Sequence, residues 1–139
     1  MRLLLLLIAI TAHAEFLRME VLMKDMNCPS CSESLGKAFE KMRGVQHVEV
    51  GMKDGTVTLE LADQNRVTLE QVWDTIKRIG FTPGDTKVIV RGQVKGAQLI
   101  VAGKTIAVEG RAPEGENIEL KGTITPPPDP RTTIKLRIE

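Results

Sequence analysis

The chain has no tyrosine, three phenylalanines and one tryptophan, so aromatics make up 3% of its 139 residues. A core must therefore be built from Val, Ile, Leu and Met. Enzymatic signatures are missing: there is no G-x-S-x-G, no H-E-x-x-H and no phosphate-binding glycine loop. Charge of one sign is also missing. Without Arg2, the chain from Glu15 onward balances 18 basic against 18 acidic residues. That argues against a nucleic-acid binder, which carries a basic excess. No apolar run is long enough to span a bilayer. Only two cysteines are present, and both lie in Met26-Asn27-Cys28-Pro29-Ser30-Cys31.

The start of the chain has the pattern of an export signal. Arg2 is a short basic region, Leu3 to Ile10 an apolar stretch, and Ala12-His13-Ala14 an A-x-A cleavage site. The expectation is a signal peptide over residues 1–14 and a mature protein in the periplasm or extracellular space. No cysteine stands near the cleavage site to receive a lipid.

From Phe16 to Lys24 apolar and polar residues alternate, with Leu17, Met19, Val21 and Met23 on one side, as in a half-buried strand. A helix pattern follows at Cys31, Leu35, Ala38, Phe39 and Met42. Pro29 suits its first turn, and Gly44 is expected to end it. Val45 to Met52 and Thr56 to Leu61 read as strands joined by Lys53-Asp54-Gly55, a hairpin turn. Thr68 and Gln71 form a capping box for a second helix with an apolar stripe of Leu69, Val72, Trp73, Ile76 and Ile79, ended by Gly80. The order is β-α-β-β-α and needs one more strand to complete a split β-α-β sandwich. Pro83-Gly84-Asp85 is expected to interrupt that strand, leaving it very short or restarting it at Lys87.

Beyond Lys87 the pattern changes to short strands over Val88 to Val94, Gln98 to Val101, Thr105 to Val108, Ile118 to Ile124 and Ile134 to Ile138. Glycines punctuate them, as in a small sandwich or barrel. Pro126-Pro127-Pro128-Asp129-Pro130 is a stiff, polyproline-like segment before the last strand. This half has no Cys, His, Met or aromatic residue, so it offers neither a soft-metal site nor a stacking platform. Its acids are scattered among basic residues and read as solvated surface. The fold expected is α+β: a ferredoxin-like domain over 15–84 and a small all-β module over 85–139.

The cysteine pair admits three roles: binding a soft metal, exchanging a disulfide, or stapling a loop. Thiols at i and i+3 at a helix start can point at a common spot, where free helix N–H groups and the helix dipole stabilise thiolates. Two thiolates suit a low-coordinate soft ion such as Cu(I) or Hg(II). Structural zinc normally takes four ligands, and the chain has no second cysteine pair. A disulfide is favoured in an oxidising compartment, though a bridge closing so small a loop adds little constraint. The lone mature histidine, His47, reads as a polar residue on a strand edge. Ser30, Ser32 and Ser34 have no neighbouring histidine and read as capping and solvating the helix start.

The M-x-C-x-x-C motif after a strand, the β-α-β-β-α order and Gly80-Phe81 make Phe16 to Thr82 resemble the heavy-metal-associated domain. That family includes copper chaperones, metal-binding modules of P-type ATPases and the periplasmic mercury-binding protein. The resemblance implies that Cys28 and Cys31 are the metal ligands and that Met26 packs beneath the metal loop. It places Phe81 beside that loop, as a lid or as a core residue. Two positions depart from the family pattern. Asp25 stands where the family usually has glycine. Asn27 stands where members selecting Zn(II), Cd(II) or Pb(II) often carry aspartate, which favours Cu(I) or Hg(II); the ion expected is Cu(I) first, with Hg(II) next and Zn(II) last. The implied protein is a monomeric, non-enzymatic metallochaperone. Its partners by metal exchange are a metal-transporting ATPase, an importer or a metalloprotein, with no nucleic acid and no stable membrane insertion. Thiol–disulfide exchange is the alternative.

Overall fold

The computed structural model describes residues 14–24 and 28–139. The expected signal segment, apart from Ala14, and Asp25, Met26 and Asn27 lie outside the described residues. Ten elements follow one another: β1 (Glu15–Lys24), α1 (Pro29–Glu40), β2 (Val45–Gly51), β3 (Thr56–Leu61), α2 (Leu69–Ile79), β4 (Thr82–Lys95), β5 (Gln98–Val101), β6 (Lys104–Glu109), β7 (Gly115–Ile124) and β8 (Lys135–Ile138). The class is α+β. The first six elements form the ferredoxin-like unit, an antiparallel layer in the order β2-β3-β1-β4.

Helix α2 begins as its sequence dictates. The Thr68 hydroxyl accepts from the Gln71 N–H, and the Gln71 side chain accepts from the Thr68 N–H. It ends at Gly80, whose φ of 110° is a left-handed cap that glycine adopts without Cβ strain. Its apolar stripe buries Leu69, Val72, Trp73 and Ile76, while α1 buries Leu35 and Phe39.

Strand β4 is the main departure from the sequence reading. It runs unbroken from Thr82 to Lys95, through Pro83-Gly84-Asp85 and across the expected 84/85 boundary. One residue on β1, Leu22 between Val21 and Met23, faces two on β4, Gly84 and Asp85 between Pro83 and Thr86. That is a bulge, where a proline without an N–H is tolerated within a ladder. A Cβ on Gly84 would stand 3.0 Å from the Leu22 carbonyl oxygen, so the two backbones approach closely there.

Beyond the bulge, β4 belongs to two structures at once. One edge pairs first with β1, as far as Glu15 opposite Arg91, and then with β5 from Gln93 to Lys95. The other edge pairs with β7 from Thr86 to Val94. β5 pairs with β6, β6 runs parallel to β8, and β8 pairs with β7, so β4-β5-β6-β8-β7 closes into a five-stranded barrel. Thr86, Val88, Val90, Gly92 and Val94 all point inward. This single alternating face covers α2 at one end and fills the barrel at the other. The buried apolar residues form one cluster from Phe16 to Leu136.

Two smaller corrections follow from local geometry. A bulge at Leu17 sets Phe16 and Arg18 opposite the adjacent residues Val90 and Ile89. The inward row is therefore Phe16, Met19, Val21 and Met23, with Leu17 displaced from it. Helix α1 stops at Glu40 with Lys41 as its right-handed cap, so Gly44 is not its terminator. Gly44 instead turns the chain into β2 at φ 97°, where a Cβ would sit 2.9 Å from that of Asn65.

Candidate metal centre

β1 carries the chain to the start of α1. Cys28 takes the N-cap position with extended backbone (φ −118°, ψ 111°), and Pro29 supplies the first helical residue. Pro29 has no N–H to leave unpaired and its φ is already set for the helix. The Cys28 carbonyl accepts from the Cys31 and Ser32 N–H groups at 3.1 and 3.2 Å, which closes the first turn. Cys31 therefore returns to the side of the helix start where Cys28 stands. Their Cα atoms are 5.2 Å apart, and the sulfurs are joined as a disulfide. Both residues are half-buried.

No acidic residue occupies the first turn of α1. No carboxylate of that turn therefore competes for the free N–H groups and dipole of the helix start, which stabilise thiolates there when the bond is reduced. The serines play a different part from the one expected. The Ser32 hydroxyl donates to the Pro29 carbonyl at 2.8 Å and the Ser34 hydroxyl to the Ser30 carbonyl at 3.1 Å. They hold helix carbonyls rather than cap N–H groups. Ser30 Oγ lies 3.2 Å from Cys28 Sγ, a contact the capping reading missed. The x-x spacing alone could have suggested it, because residue 30 stands between the two thiols.

The other residues named from the sequence separate by position. Phe81, directly after the Gly80 cap, is half-buried against the core, and its N–H donates to the Ile76 carbonyl at 3.1 Å. His47 is exposed on β2. Among the described residues no group of three or more His, Cys, Asp or Glu side chains is placed to hold a metal ion. The donor set at the helix start is two sulfurs. That set suits a soft ion of low coordination and falls short of the four ligands of structural zinc.

The sulfur pair follows the C-terminal end of β1, past Lys24, while the barrel strand β7 flanks β4 only from Thr86, opposite Val21, onward.

A ferredoxin-like layer with paired thiols where its first strand meets its first helix defines a class of small thiol-bearing domains. Residues 20–82 match the model of the heavy-metal-associated domain, and this part of the chain is a domain of that family. An uncharacterized protein of Haemophilus influenzae is 39% identical over 82 residues, which cover 58% of this chain and 87% of the relative. Among solved structures, the CopZ metallochaperone is 23% identical over 48% of this chain and 97% of its own, with a TM-score of 0.44. The yeast copper transporter domain CCC2A is 16% identical over 48% of this chain and 90% of its own, with a TM-score of 0.45.

Proposed function

We propose that this protein is an exported, non-enzymatic carrier of one soft metal ion, Cu(I) before Hg(II), held between Cys28 and Cys31 as a bis-thiolate. The observation that carries the reading is the meeting of the two sulfurs at the start of the first helix of a heavy-metal-associated domain. Two-coordinate thiolate binding leaves the ion accessible from outside. A partner thiol can enter the coordination sphere before the first ligands leave, so the ion passes without being released to water. A metal-transporting ATPase, an importer or a metalloprotein under assembly fits the role of partner. The export pattern of residues 1–14 supports work outside the cytoplasm.

The disulfide itself supports a second reading, thiol–disulfide exchange. The two readings separate in one experiment. Reduced protein is titrated anaerobically with Cu(I) against a competing chelator, with Hg(II) and Zn(II) in parallel and stoichiometry read by mass spectrometry. The carrier reading expects one tightly held Cu(I) or Hg(II) that disappears in the Cys28→Ser/Cys31→Ser variant while the fold is retained. Stoichiometric binding that survives in the double variant would sink it. Failure to compete with the chelator, together with a mixed disulfide trapped on Cys28 in Cys31→Ser, would select exchange.

A further inference from the structure

β2 pairs with β3 on one side alone, so its other edge is open along its whole length. β4, which would be the opposite edge of a four-stranded layer, is covered by β7, and the barrel closes on itself. An open edge presents unpaired N–H and C=O groups and acts as a template for another strand. On β2 it also carries a half-buried apolar row, Val45, Val48 and Val50, packed at the margin of the core. The opposite face of the strand displays His47 and Glu49, both exposed.

We propose that β2 pairs with β2 of a second copy of this chain, antiparallel across a twofold axis at Val48. The register follows from charge and length. A continuous sheet with a twofold axis normal to it requires a residue that pairs with itself, because paired side chains share a face. Centring on Glu49 would set two carboxylates against each other, which is unfavourable. Centring on His47 would set Glu49 against Val45. Centring on Val48 places His47 opposite Glu49 of the partner subunit twice, and Val48 against its own copy. The strand spans Val45–Gly51, so Val48 is also its midpoint. Within one chain His47 already lies opposite Glu60 of β3, so in the dimer it stands between two carboxylates. The bulge at Gln46 is confined to the start of the strand and leaves the three central rungs, His47 to Glu49, regular.

Antiparallel pairing points the two cysteine ends in opposite directions. This association therefore needs no metal and leaves both sulfur pairs open, which distinguishes it from a dimer bridged by an ion. It stands apart from the carrier reading and replaces the single chain expected from the sequence. The contact is small, as suits a weak, concentration-dependent dimer.

The test is sedimentation velocity of the full-length reduced protein with a metal chelator, over about 5 to 500 µM. The expected result is a concentration-dependent dimer that persists in Cys28→Ser/Cys31→Ser. Two substitutions that each introduce a lysine should act in opposite directions. Glu49→Lys should weaken the dimer by about tenfold, and His47→Lys, which faces carboxylates on both sides, should strengthen it. Circular dichroism of both variants checks that they are folded. A monomer throughout the range, a dimer that needs metal or the cysteines, or lysine variants that shift the equilibrium in the same direction would each overturn the proposal.

Discussion

Trp73 Nε1 donates to Thr86 Oγ1 at 3.0 Å, with both residues buried, and Thr86 Oγ1 in turn donates to the Gly84 carbonyl at 3.1 Å. This relay fastens the middle of α2 to β4 beside the Pro83-Gly84 bulge. Thr86→Val keeps the shape but leaves a buried indole N–H and a carbonyl without the hydroxyl. A loss of about 1–3 kcal/mol is expected, read by urea unfolding followed through Trp73, the chain's single tryptophan. Thr86→Ser should retain most of the stability, and a Thr86→Val protein as stable as the parent with the loss falling on Thr86→Ser would show that the methyl group, rather than the relay, matters.

Glu15 gives a second expectation. It is 2% exposed, neither carboxylate oxygen has a hydrogen bond, and Arg91 Nη1 stands 3.8 Å away. A buried charge with one loose partner contributes little beyond its own desolvation cost. Removing the arginine strands it. Arg91→Met should cost stability toward the low end of roughly 3–5 kcal/mol, because Arg91 itself stays partly exposed. Glu15→Met should be neutral or stabilising. Thermal unfolding of both variants checks this, and a Glu15→Met protein markedly less stable than the parent would assign the carboxylate a structural role.

Gly92 marks the point where β4 exchanges β1 for β5 as its neighbour. A Cβ there would stand 2.5 Å from the Ile100 carbonyl oxygen and 3.0 Å from Leu99 Cδ1. Backbone cannot retreat as a flexible side chain can. Gly92→Ala is therefore expected to cost at least the roughly 1–3 kcal/mol of an overpacked core. Gly36→Ala, with nothing within 4 Å of its Cβ, is the control and should be neutral or better. Denaturant midpoints of the pair decide the matter.

Much of this architecture was legible in the sequence because it is local. The Thr68–Gln71 box, the Gly80 cap and the β2–β3 hairpin turn each place their chemistry within a few residues, and the barrel strands appear near their expected positions. The cysteine pair was legible for the same reason, since spacing i to i+3 at a helix start brings the sulfurs together. What the sequence hid is non-local. Pro83 reads as a strand breaker until β1 supplies the bulge that accommodates it. Leu17 and Phe16 exchange roles only because Val90 and Ile89 stand opposite them. The parallel pairing of β6 with β8, which closes the barrel, joins strands separated by all of β7 and leaves no local trace. Ser30 was assigned to capping because serine there usually caps, whereas its hydroxyl faces a sulfur.

The shared strand β4 also settles how the molecule can be held. No linker separates the two units, so the barrel cannot swivel beneath the ferredoxin-like layer as a tethered domain would. Whatever grips the barrel thereby fixes the heading of β1 and of the helix start that bears the cysteines. The C-terminal half serves as a rigid handle, and the thiols ride at the tip of the tool.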